Sequence, residues 1–231
     1  YRKFTLAYTD LYPGDIKNLA RAFRDKRMKV TLKKVSQAQA SEIGISEIAQ
    51  LTSKPLSKMI SHTILWSDNT VADRLAKAVT RYVGNPTTGS GITKTYKDSL
   101  NILGIPTKDL VIRDGSGLSK KNRITARATV ELLRAIRNNP QYASIYEGLP
   151  ISGETGTLKN RFSKAPLAIS HVHAKTGWVN RSVTMAGYAE SGDKEYVFAI
   201  LADGISPTLK SRNAARRAMD KLLETVVMGD H

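Results

Sequence analysis

Two short stretches of this 231-residue chain carry residue types that could run acyl chemistry on a substrate ending in a free carboxylate. Ser67-Asp68-Asn69 falls in a polar break between two helical patterns, and Lys175-Thr176-Gly177 ends a strand-like pattern. A lysine and a hydroxyl side by side on a strand supply a charge and a donor for a carboxylate. The glycine after them leaves room for substrate backbone to lie close. A serine on a rigid turn relays a proton, and an asparagine two residues on hydrogen-bonds a substrate amide. Taken singly, each tripeptide is also what an ordinary helix cap or strand-end turn looks like. Their joint occurrence, one in a helix–helix loop and one on a strand, carries the expectation of a site.

Other chemistries are poorly served. Cysteine is absent, which excludes disulfides, cysteine-ligated zinc and thiol catalysis. His171 and His173 share one face of a strand pattern, but no third ligand follows at a recognisable spacing. No metal and no cofactor are therefore expected, and His62 reads as a helix-surface residue. The formal net charge is +16, from 36 Lys and Arg against 20 Asp and Glu, a field that draws in nucleic acid, anionic lipid or wall polymers. The basic residues are scattered, however, and only 24–34 and 210–217 are locally dense. Neither run is interleaved with aromatics as a base-stacking surface would be, so a generally basic solvated surface is expected and no nucleic acid partner. No apolar stretch approaches the ~20 residues that a membrane span requires.

The elements that must position these residues follow from periodicity. Ile16, Leu19, Ala20 and Phe23 recur at helical spacing after Pro13-Gly14, the alternation in 30–35 reads as a strand, and 43–51 reads as extended. A helix is expected over 55–66. Asp68 or Asn69 then caps a second helix, whose stripe is Val71, Leu75, Ala76, Val79 and Tyr82. A further helix is expected over 95–103, then a strand ending at Asp114-Gly115-Ser116-Gly117, then a helix to Ile136 capped by Thr125. The last third changes period: 171–176, 183–190 and 196–202 read as three strands joined by turns at 177–181 and 191–193, hence antiparallel. A closing helix from Pro207 would turn Leu209, Ala215, Met219, Leu222 and Val226 inward. Helices followed by an antiparallel sheet and a covering helix make the fold class α+β.

The two tripeptides, with Ser-x-x-Lys, are the motif set of penicillin-binding proteins and serine β-lactamases. Around them stand Ser53-Lys54-Pro55-Leu56-Ser57, Asp114-Gly115-Ser116-Gly117-Leu118-Ser119, Leu149-Pro150-Ile151-Ser152-Gly153, Gly156-Thr157-Leu158-Lys159-Asn160-Arg161 and Ala186-Gly187-Tyr188. With these, from about Asp15 to Gly204, the chain resembles the D-alanyl-D-alanine carboxypeptidase/endopeptidases, the class C low-molecular-mass penicillin-binding proteins. The resemblance implies a transpeptidase-type α+β fold and a serine D,D-peptidase acting on peptidoglycan stem peptides. It also implies β-lactam inhibition and an exported, periplasmic or extracytoplasmic setting. Ser67 would pass a proton to the leaving nitrogen and Asn69 would hold substrate backbone. Lys175 and Thr176 would bind the terminal carboxylate beside Gly177, and the N–H of Trp178 would serve the oxyanion. The family more usually has a small residue where Trp178 stands.

The family's nucleophile lies in a Ser-x-x-Lys motif well upstream of Ser-Asp-Asn, and none of the 66 residues before Ser67 forms one. The sole match, Ser191-Gly192-Asp193-Lys194, falls in a hairpin turn. Residues 1–231 are thus expected to be the C-terminal part of a single penicillin-binding domain, inactive alone and completed by the rest of a parent chain. Such a part would expose a large apolar face. Two other readings remain: a naturally shortened basic module binding anionic wall polymer or nucleic acid, and a β-lactamase relative. The Asp-Gly-Ser-Gly-Leu-Ser segment is not accounted for by the last.

Overall fold

The alternation and helical spacing near the start of the chain become a strand and a helix in the computed structural model, which describes residues 3–8, 13–42, 52–179 and 181–229. The chain divides into two units, 1–53 and 54–231. In the first, β1 (Lys3–Tyr8), α1 (Pro13–Asp25) and β2 (Lys29–Lys34) form a β–α–β unit, followed by α2 (Gln37–Glu42). β1 pairs with β2 in parallel, Lys3 opposite Lys29 through Tyr8 opposite Lys34, a pairing that needs the α1 crossover. Ser36 and Gln39 exchange backbone and side-chain hydrogen bonds as a capping box for α2. The extended segment expected at 43–51 lies outside the described residues.

The second unit opens with α3 (Leu56–Trp66), α4 (Asn69–Tyr82), α5 (Gly89–Ile102), α6 (Ala126–Arg137) and α7 (Ala143–Glu147). It continues with β3 (Val172–Val179), β4 (Ser182–Ser191), β5 (Lys194–Ala202) and α8 (Leu209–Met228). The sheet is antiparallel in the order β3-β4-β5, so β3 is an edge strand. α8 covers one face. Val172, Ala174, Val183, Met185 and Ala189 pack there against Met219, Leu223 and the buried Leu158 and Phe162. The opposite face carries Tyr188 against Leu133 and Leu149, and the Tyr188 hydroxyl donates to the Leu133 carbonyl at 2.7 Å. Two helical layers around one sheet give the α+β class expected.

Several local expectations are corrected. β3 starts one residue after His171 and continues through Gly177 and Trp178 to Val179, because both residues pair in register with Thr184 and Val183. The strand expected before Asp114 shrinks to a single bridge, Val111 with Arg123. Backbone groups of Ile112 bond instead to the Thr93 hydroxyl, and the Asp114 carboxylate gathers the N–H groups of Gly117 and Ser119 into a turn. α5 begins upstream of its expected start, capped by Thr88. On α4 the small face is inward: Gly115 sits so close that a Cβ there would lie 2.3 Å from the Ala72 carbonyl, and Tyr82 is left 91% exposed. On α8, Leu209 and Leu222 are exposed, and the inward line is Ala215, Met219, Leu223 and Val226 with Asp220 and Glu224. The two carboxylates tolerate burial because Arg161 and the Leu167 N–H, respectively, bond to them.

Arg161 grips Asp220 through Nε and Nη2, with both side chains nearly buried. Asp220→Ala therefore leaves an uncompensated guanidinium and should cost ~3–5 kcal/mol in urea unfolding. The apolar double replacement Arg161→Met/Asp220→Leu should recover most of that loss.

Candidate active site

Ser67 ends α3 in the left-handed region, φ 57° and ψ 49°. A residue with a Cβ pays roughly 1–2 kcal/mol for that conformation, so the surroundings must hold it. They do so at three points. The N–H groups of Ser67 and Asp68 both donate to the Thr63 carbonyl, and the Asp68 side chain caps α4 by accepting from the Val71 N–H at 3.0 Å. Asp68, rather than Asn69, is the cap. The turn aims the Ser67 hydroxyl at β3, where Lys175 Nζ donates to Ser67 Oγ at 2.9 Å and to the Thr176 carbonyl at 2.6 Å. Burial pushes the Lys175 ammonium down from 10.5 to about 8. An amine so poised, touching a hydroxyl, can both give and take back a proton near neutral pH.

Thr176 points the other way along the pleat, and its hydroxyl meets that of Thr157 at 2.9 Å. Thr157 sits in a 3-10 turn, Gly156–Leu158, lodged between α3 and β3. Gly156 is required there: its φ is 52°, and a Cβ would lie 2.4 Å from the carbonyl of Leu65, two residues before Ser67. One turn thus braces both halves of the site. Gly177 also has a local reason within the sheet, since a Cβ would meet the Thr184 hydroxyl on β4 at 2.3 Å.

The free edge of β3 is closed over its first half by 150–152. Ala174 N–H donates to the Pro150 carbonyl, and Val172 and Ser152 exchange further bonds. Ladder alternation then turns the N–H groups of Thr176 and Trp178 to the same edge. Among the described residues, no strand pairs with that edge beyond Ala174. The Trp178 ring lies on the α8 side, half exposed, with Arg212 Cζ 3.8 Å over it. Asn69, the first residue of α4, is exposed, and its side chain makes no hydrogen bond among the described residues.

Of the residues singled out by sequence, the structure joins Ser67 directly to Lys175 and sets Thr176, Gly177 and Trp178 along the same strand. Asn69 stands one residue into the helix after Ser67 without touching the others. Thr157 and Asp73 were not anticipated individually. Asp73 accepts the N–H groups of Gly115 and Ser116, both at 2.8 Å, and so pins the Asp114 turn to α4. The quoted segments 114–119 and 156–161 held the signal, but no spacing rule assigns them a partner. His173 stacks on Tyr146, with ring centroids 5.5 Å apart, beside Glu190.

This arrangement of sheet, helices and paired motifs is a penicillin-binding-type fold. Penicillin binding protein 4 (dacB) of Haemophilus influenzae, complexed with a novel β-lactam, superposes with a TM-score of 0.72 at 24% identity, over 92% of this chain and 50% of that one. The sequence model of the D-Ala-D-Ala carboxypeptidase 3 (S13) family matches residues 4–226, and the chain belongs to that family. Relatives include carboxypeptidase DacB of Mycolicibacterium smegmatis, 30% identical over 78% of this chain and 39% of the relative. D-alanyl-D-alanine carboxypeptidase DacB of H. influenzae is 30% identical over 85% of this chain and 42% of the relative. The chain therefore spans about two fifths of the length of these relatives.

The depressed Lys175 pKa has a stability signature. Between about pH 8 and 10.5 the folded chain holds fewer protons at this group than the unfolded chain, so unfolding free energy rises with pH in that window. Below pH 8 the contribution is flat. Relative to Lys175→Met, the wild-type chain should gain up to roughly 3 kcal/mol across the window, measured by urea unfolding at stepped pH.

Proposed function

We propose that this chain supplies the proton-relay and carboxylate-binding half of a serine D,D-peptidase that acts on peptidoglycan stem peptides, as carboxypeptidase, endopeptidase or both. The observation that carries the reading is the 2.9 Å contact between Lys175 Nζ and Ser67 Oγ on otherwise separate elements. Family membership and the D-alanyl-D-alanine carboxypeptidase names of the relatives support it. Residues 1–231 are then the C-terminal part of one penicillin-binding domain, and the acylating serine comes from a Ser-x-x-Lys motif beyond them. The protein works outside the cytoplasm, where its polymer is. Among the described residues, no helix is long and apolar enough to cross a membrane.

In this mechanism the terminal carboxylate of the substrate meets Lys175 and Thr176, and its backbone lies along the open edge of β3. The serine oxygen attacks the carbonyl before the terminal residue, and the resulting oxyanion takes a hydrogen bond from the Trp178 N–H. Ser67 delivers a proton to the leaving nitrogen, the C–N bond breaks, and the proton shed by the attacking serine passes through Lys175 to restore Ser67. The amino acid or peptide leaves as its amine. Water then cleaves the acyl-enzyme ester, returning the serine and releasing the shortened peptide as a carboxylic acid. Asn69 holds the substrate amide during both steps. A β-lactam enters the same path, its carboxylate standing in for that of the peptide.

Intact mass after incubation with a penicillin tests the assignment. The 25.4 kDa chain should show no adduct. A longer parent carrying Ser-x-x-Lys should gain one β-lactam, and Ser67→Ala in that parent should slow acylation by about 10²-fold or more. An adduct on the 25.4 kDa chain would overturn the assignment of the nucleophile.

A further inference from the structure

The dense basic run 210–217 is helical, so its charges sort by face. Arg212, Arg216 and Asp220 follow one another at four-residue intervals along α8. Beside that line runs 160–164, the stretch that continues from the turn carrying Thr157. Together Asn160, Arg161, Lys164, Asn213, Arg216 and Arg217 line a cleft of about 310 Å³, in which Asp220 is the one carboxylate. Four cations thus face a single anion, and that anion is already committed to both nitrogens of the Arg161 fork. The neighbouring Glu224 is spent on Lys221 and the Leu167 N–H.

The fold pays to keep these charges together. Burial lowers the proton affinity of the Arg216 guanidinium, and the positive charges of Arg161 and Arg212 lower it further, with Asp220 offsetting part. Arg212 caps Trp178, and its buried Nε has no hydrogen-bond partner among the described residues. Lys164 and Arg217 are exposed and, among the described residues, form no ion pair. Guanidinium forks match the oxygens of a phosphate in charge and in geometry. The cleft offers no platform for a base, because its one ring, Phe162, is 1% exposed, and the half-exposed Trp178 ring lies outside its lining with Arg212 over it. We propose that this cleft binds phosphodiester groups of a polyol–phosphate chain, an anionic polymer that carries charge without bases. The site is separate in chemistry from the peptide site, and it would hold the chain on a charged polymer whatever reaction the peptide site performs.

The test uses the 231-residue chain and a fluorescent poly(glycerol phosphate) oligomer, with single-stranded DNA of equal phosphate number as comparator. The logarithm of the affinity for the polyol polymer should fall linearly with the logarithm of salt concentration. Lys164→Gln/Arg217→Gln should weaken binding at least about tenfold and reduce the salt slope by roughly one to two. The charge-matched Lys120→Gln/Lys121→Gln pair, exposed on a turn elsewhere, should change affinity less than about twofold. In the unmutated chain, bound polymer should shield Arg216 and Arg217 from phenylglyoxal while leaving the exposed Arg127 on α6 reactive. Equal losses in both double variants, equal shielding of Arg127, DNA binding as tight as the polymer, or no binding to the polymer would each overturn the proposal.

Discussion

A lysine amine held mostly out of water beside a serine hydroxyl constrains everything around it. Desolvation works against the charge on Lys175, so the contact with Ser67 survives only where helix turn and strand are both rigid. The rigidity is built from backbone. Thr63 accepts two N–H groups at the end of α3, Asp68 caps α4, and β3 is locked into an eight-residue register with β4. Between them the turn at Gly156 and Thr157 presses on Leu65 and on Thr176, so that neither side can shift without the other. The left-handed conformation of Ser67 is tolerated for the same reason: its strain is offset by the hydrogen bonds that its neighbours make.

The edge position of β3 is the second constraint. An unpaired strand edge is a hazard in most proteins because any extended chain can add to it. Here the first half is covered by 150–152, and the half that remains open is the one carrying Lys175, Thr176 and Trp178. Beside the covered half, Gly187 on β4 stands opposite Ala174 and leaves no room for a Cβ, which would lie 2.1 Å from the His173 carbonyl. In the proposed mechanism a substrate added along this edge would use main-chain hydrogen bonds, with affinity from the backbone and selectivity from the side chains beside it.

Positive charge is distributed unevenly around this frame. Scattered over the sequence, it reads as a general solvated surface; in the fold, part of 210–217 meets 161 and 164 across about 50 residues of chain, with a single carboxylate among them. Trp178 links the two regions, since its backbone lies on the strand that carries Lys175 and its ring lies under Arg212. The bulky residue after Lys-Thr-Gly is therefore accommodated on the α8 face, away from the lysine.

By itself the sequence determined the class of fold, the antiparallel order of 172–202 and the two motifs, because periodicity, turn residues and fixed tripeptides are local properties of the chain. It placed a cap at Thr125 and narrowed that of α4 to Asp68 or Asn69 for the same local reason. The parallel pairing of β1 with β2 escaped it, since a crossover joins strands without leaving a mark in either. So did part of the inward line of α8: Ala215, Met219 and Val226 were legible, but Asp220 and Glu224 look like surface residues until their partners at Arg161 and Leu167 are known. The clamp at Thr157 and the docking of Asp73 on the Asp114 turn were likewise invisible. These are contacts between distant segments, and their energy depends on distance in space, which only tertiary packing decides.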